Sequence, residues 1–174
     1  MILFGRHILL FFFFWNVSLW AAPHSLNSTT TSLIPPVKIL IKKAAREMIL
    51  IKKGKIFKTY KVALGTNPKG HKQCEGDGKT PEGIYSISHK YTKSNFHLAL
   101  QISYPNKADC AHAKKMKCSP GGLIMIHGLP KSFAYLGSKH RLYDWTLGCV
   151  AVTNAEIEEI WKHVPTGTPV EILP

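Results

Sequence analysis

The stretch "DWTLGCVAVTN", residues 144–154, sets one cysteine behind a glycine at the start of an apolar run. Three fates are open to Cys149: a small buried hydrophobe, half of a disulfide, or a nucleophile. Gly148 lets the backbone turn tightly and puts no Cβ in the way of a substrate. Asp144-Trp145-Thr146 before it is polar and turn-like, and "VAV" after it is strand-like. Such a junction leaves backbone N–H groups free to face an oxyanion. A thiol nucleophile also needs a base, because the thiolate does the attacking. His127 suits that role, since it ends the apolar run "GGLIMIHG" with Gly128 behind it, and its imidazole stands at a strand end.

The other thiols are Cys74, Cys110 and Cys118. Cys110 and Cys118 share the Lys-rich segment "DCAHAKKMKCSPGG", which reads as a polar loop that a Cys110–Cys118 disulfide would pin. The pairing of Cys74 with Cys149 stays open. His71-x-x-Cys74 and Cys110-x-His112 are the tight His/Cys pairs, and neither has a partner pair at zinc spacing, so no metal is expected. A thiol–disulfide role is weak without Cys-x-x-Cys.

The elements that must carry these residues are mostly strands. "VKILI" and "EMILIKKGKIFKTYKVALG" mix apolar residues with lysine near period two, and Lys53-Gly54 marks a β-hairpin. "EGIYSIS", "HLALQISYP" and "GGLIMIHG" read as further strands, and "PVEILP" as a closing one. One convincing helix follows Thr153 or Asn154, with Ile157, Ile160 and Trp161 on one face and Glu156 in the first turn. The expected fold is β-rich α+β, sandwich-like sheets with one or two helices.

Residues 37–174 are long enough for one domain with a core. Residues 1–22 read as a secretory signal peptide: Arg6 and His7, an apolar run from Ile8 to Trp15, then Ala21 and Ala22. Cleavage after Ala21 is preferred, and an uncleaved anchor is the lesser alternative. Residues 23–36, rich in Ser, Thr, Asn and Pro, read as a flexible tether. The formal net charge is +13. The lysines are dispersed, with no nucleic-acid-binding motif, so an anionic polymer of the cell envelope is the expected partner rather than nucleic acid.

The order His127-Gly128 then Thr146-x-Gly148-Cys149 resembles the active-site signature of the L,D-transpeptidases, the YkuD-type enzymes of bacterial cell walls. "LGTNPKGHKQCEGDGKTPEGIY", residues 64–85, is similar to the family's Thr-Pro-x-Gly stretch, and the resemblance extends from Val37 to Leu173. It implies the YkuD-like fold, Cys149 as nucleophile, His127 as general base and acid, and no cofactor. It further implies an oxyanion hole from the N–H groups of Gly148, Cys149 and Leu147. Gly128 would keep the space beside His127 clear, and the Thr146 hydroxyl would brace the loop.

Two departures stand out: Leu147 where the family commonly has a second His, and Ala151 where it commonly has an Arg. Arg141 and Lys139 are the replacement cations expected on the substrate side, with Asp144 and Trp145. The combination of "DWTLGC", "AVTN" and "EGDGKTPEG" is similar to the YafK-like subgroup, one enterobacterial member of which releases an outer-membrane lipoprotein from peptidoglycan.

The implied substrate is a peptidoglycan stem peptide in a Gram-negative periplasm, attacked at the diamino acid. The acyl-thioester would pass to an amine or to water, with a peptidoglycan-linked lipoprotein as a further partner. The rival expectation is a non-catalytic basic module that binds an anionic envelope polymer.

Overall fold

The computed structural model describes residues 37–174. The expected signal peptide and tether lie outside the described residues. Eight strands form one mixed sheet in the order β3-β2-β1-β8-β4-β5-β6-β7. They are β1 (Val37–Lys42), β2 (Glu47–Lys52), β3 (Lys55–Lys61), β4 (Gly83–Ser94), β5 (His97–Ile102), β6 (Met125–His127), β7 (Val150–Ala151) and β8 (Pro169–Leu173). In β1 the period-two pattern sends Val37, Ile39 and Ile41 into the core and leaves Lys42 exposed. The β2–β3 hairpin turns on Lys53 and Gly54, both at positive φ (49° and 76°), as the two-residue turn requires.

The two expected sheets are halves of one. β4 is long enough to serve both: Gly83–Ser86 pairs with β8, and its register against β5 starts at Ile87. The sheet then curls until its ends meet. Just past β3, Ala63 exchanges both backbone hydrogen bonds with Ala151 of β7, at 3.0 and 2.8 Å. Thr146 N–H donates to Leu64 C=O and Thr66 N–H to Thr146 C=O. The loop bearing Cys149 is therefore the seam of the closed sheet.

Helix α2 (Asn154–His163) forms where its sequence directs. Thr153 caps it, and the capping box is reciprocal with Glu156. Its face buries Ile157 and Ile160 against the core, worth on the order of 2 kcal/mol each. A second helix, α1 (Lys107–Lys115), replaces the expected Lys-rich loop: Asn106 and Asp109 form a second capping box. A 3₁₀ segment, Lys131–Leu142, breaks at Gly137. The apolar run before His127 is strand only over its last three residues, because Leu123 stands at positive φ, 53°.

Candidate active site

His127 and Cys149 meet through strand register. β6 and β7 are parallel, with Ile126 opposite Val150 and His127 opposite Ala151. Cys149 precedes β7 by one residue, so it and His127 fall on the same face of neighbouring strands, two residues out of register. Both line one cavity of about 470 Å³, together with Phe96, Trp145, Thr146 and Leu147.

His127 is 2% exposed. Phe96 lies 4.4 Å and Trp145 5.8 Å from its ring centre. Its Nδ1 is 2.7 Å from Gly128 O. A carbonyl oxygen only accepts, so Nδ1 carries the proton and Nε2 of the neutral ring is left as the base. Burial lowers the pKa of this imidazole, and the bond to Gly128 offsets part of that.

The Cys149 thiol donates to Leu123 O at 3.6 Å. Burial raises its pKa, against lowering by a backbone hydrogen bond from Met125 and by the Lys72 charge. Both shifts favour a resting pair of neutral thiol and neutral imidazole.

The Thr146 hydroxyl braces the loop at both ends. It donates to Cys149 O at 2.8 Å and accepts from Gly148 N–H at 3.1 Å. That second bond commits one of the three amides expected at an oxyanion, leaving those of Leu147 and Cys149. Gly148 has φ +126°, and a Cβ there would stand 2.6 Å from Lys79 O, so the position requires glycine. Leu147 is 78% exposed at the cavity.

Gly128 serves a different purpose from the one expected. A Cβ there would meet Asn154 Oδ1 at 2.5 Å and Ile157 at 3.0 Å, so the glycine makes room for α2 rather than for substrate. Asn154 in turn accepts Leu129 N–H at 2.6 Å, fixing the strand end that carries His127.

Of the four residues expected on the substrate side, Trp145 alone lines this cavity. Asp144 is taken up by structure: it pairs with Arg46 at 2.6 Å and accepts Leu64 N–H at 2.8 Å, across the seam. Arg141 pairs with Glu156 of the α2 cap. Lys139 lines a separate apolar groove with Phe133, Leu142 and Tyr143.

The thiol pairing also differs from expectation. Cys74 is bonded to Cys118, while Cys110 is free and exposed and Cys149 is free. Helix α1 is the reason. It fixes Cys110 on its exposed surface, while Cys118, past the helix end, lies against the 73–75 loop, where Glu75 N–H donates to Ser119 O.

That loop holds what sequence reasoning missed. Lys72 is 3% exposed and lines the cavity. Its ammonium donates to Asp77 Oδ1 at 2.8 Å and Cys74 O at 3.1 Å. Burial would raise the Asp77 carboxyl. Lys72 and the N–H groups of Gln73, Lys79 and Cys74 outweigh burial and hold the pKa at about 2. No spacing rule marks a lysine as buried, and the surrounding "HKQCEGDGKTPEG" was its only available signal.

The model of the YkuD L,D-transpeptidase catalytic domain matches residues 36–172. The chain belongs to the L,D-transpeptidase catalytic domain family. It is 34% identical over 135 residues to YafK of Escherichia coli (strain K12), covering 74% of this chain and 47% of that protein.

Among solved structures, it is similar to the helical cell shape determining protein Pgp2 from Campylobacter jejuni. There the identity is 27% and the TM-score 0.59, over 78% of this chain and 46% of that one. Bd1075 of Bdellovibrio bacteriovorus aligns at 26% identity and TM-score 0.56, over 79% and 48%. An L,D-transpeptidase from Mycobacterium smegmatis, at 11% identity and TM-score 0.53, over 80% and 59%, shares the fold. The chain spans about half the length of the curated relatives it matches.

Proposed function

We propose that this L,D-transpeptidase-family domain acts on peptidoglycan stem peptides through an acyl-thioester on Cys149. The observation that carries the reading is the Cys149–His127 register in one cavity, with His127 Nδ1 tied to Gly128 O and Nε2 left to take a proton. His127 Nε2 removes the thiol proton as sulfur adds to the carbonyl carbon of the diamino acid, on its L-centre side. The N–H groups of Leu147 and Cys149 hold the oxyanion. The imidazolium then protonates the leaving amine as the C–N bond breaks, leaving the thioester. An amine or water attacks next, His127 takes the incoming proton, and the C–S bond breaks to restore the thiol. The apolar leader supports export, and with it a periplasmic setting.

The test is mass spectrometry of peptidoglycan fragments incubated with the purified protein, with Cys149→Ala as control. The samples include tetrapeptide fragments and fragments bearing a lipoprotein-derived lysine. Cross-linked dimers that need Cys149 identify transpeptidation. Loss of the terminal residue or attached lysine without dimers identifies hydrolysis. No Cys149-dependent change in any fragment would overturn the enzymatic reading in favour of a basic binding module.

A further inference from the structure

Lys72 is the one cation among the described residues lining the Cys149 cavity. Two of its three N–H donors are committed, to Asp77 and to Cys74 O, which leaves one for a ligand. Asp77 is not held by Lys72 alone: its carboxylate also accepts N–H groups from Gln73, Cys74 and Lys79, which fix the pair in place. Glu75 lines the cavity too, but it is exposed, where solvent screens its charge. The Cys74–Cys118 disulfide clamps the loop that carries Lys72 to the Gly121–Gly122 wall of the same cavity. A buried ammonium held by a cross-linked frame is built to keep one position, and it loses little entropy when an anion arrives.

We propose that Lys72 binds the carboxylate of the residue that leaves when Cys149 attacks. A cavity of about 470 Å³ corresponds to a span of roughly 8 Å, about two extended residues at roughly 3.5 Å each, which places a carboxylate held by Lys72 within about two residues of the carbonyl at Cys149. The terminal carboxylate of a stem peptide meets that condition. This assignment rests on the reading of Cys149 as the attacking thiol.

A charge-selective alkylation tests it without turnover. Iodoacetate and iodoacetamide are reacted with the full chain, and labelling is read on the Cys149 peptide by mass spectrometry. In the parent protein the iodoacetate-to-iodoacetamide rate ratio should exceed that of a small neutral thiol. Lys72→Gln should lower it about three- to tenfold, and Lys72→Arg should restore most of it. Lys72→Met, which keeps the aliphatic stem, replaces Lys72→Gln if the latter does not fold. A merely structural lysine would change both rates together, and an unmoved ratio overturns the proposal.

A second arm compares tetrapeptide fragments ending in carboxylate or amide. The parent should favour the carboxylate through KM, and Lys72→Gln should lose that preference. Equal preference in both proteins overturns the proposal. A Lys72-dependent alkylation ratio without any acyl-enzyme on either fragment would sink the enzymatic reading while leaving an anion site at Lys72.

Discussion

Burial moves the pKa of Cys149 up and that of His127 down, and both shifts disfavour a preformed thiolate–imidazolium pair. Proton transfer is then expected to accompany attack. Carboxamidomethylation of Cys149 is therefore expected to rise with pH to a midpoint above the about 8.5 of an ordinary thiol. His127→Ala should cut turnover by about 10²-fold or more, and slow alkylation at neutral pH, both measured against the parent. A midpoint below the ordinary thiol value would instead mean a stable ion pair. His127 and Cys149, which the fold brings into one cavity, were legible in sequence because a strand-end His-Gly and a Gly-Cys junction are local patterns. Lys72, Phe96 and Asn154 were not, since their roles depend on which loops and helices arrive beside the cavity. Arg141 is taken up by Glu156, a partner its sequence neighbourhood does not announce, and Lys139 lines a different groove, a placement set by the Lys131–Leu142 segment.

At the scale of elements, the hairpin at Lys53-Gly54 and helix α2 followed from turn chemistry and a capping signature. Helix α1 was missed even though Asn106 and Asp109 carry a capping pair. Its composition is polar, and only Asp109 and Ala113 are buried, so no apolar stripe announces it. That omission also produced the wrong disulfide, since a loop would have let Cys110 reach Cys118. The loop of Gly148 provides the sharpest test. Gly148→Ala combines a positive φ with a collision against the Lys79 carbonyl, and should cost about 2–3 kcal/mol. Thermal melts would read that loss, and alkylation of Cys149 would report whether the loop has moved. A variant as stable as the parent would mean that the 79 and 148 backbones separate easily.

Two expectations concern the whole molecule. The Cys74–Cys118 bond spans 44 residues, and by chain entropy its removal should cost about 4 kcal/mol, read by urea unfolding of a Cys74→Ser, Cys118→Ser variant. Cys110→Ser should change little, since that thiol is exposed and unpaired. The second is acid sensitivity. Burial first, then Arg141, hold His140 near a pKa of about 4, so the folded chain refuses a proton that the unfolded chain accepts near 6.5. Stability is full above about 6.5 and falls as pH drops towards 4, by up to about 3 kcal/mol for this group. His127, also lowered, acts in the same direction. Urea midpoints at pH 7.5 and 4.5 would show the difference, and His140→Gln should narrow it; an equal drop in both proteins would remove His140 as the cause.

The seam that joins Ala63 to Ala151 and Thr146 to Leu64 and Thr66 has a kinetic meaning. An open sheet can fray strand by strand from its last member, and here the last member adjoins the nucleophile. Latching that strand on both sides leaves it no free margin to peel from. The amides of Ala63, Thr66, Thr146 and Ala151 should then exchange with deuterated water only when the entire domain opens. Cys149 should then open with the whole domain rather than by fraying of its strand, an expectation that slow exchange of these four amides would bear out.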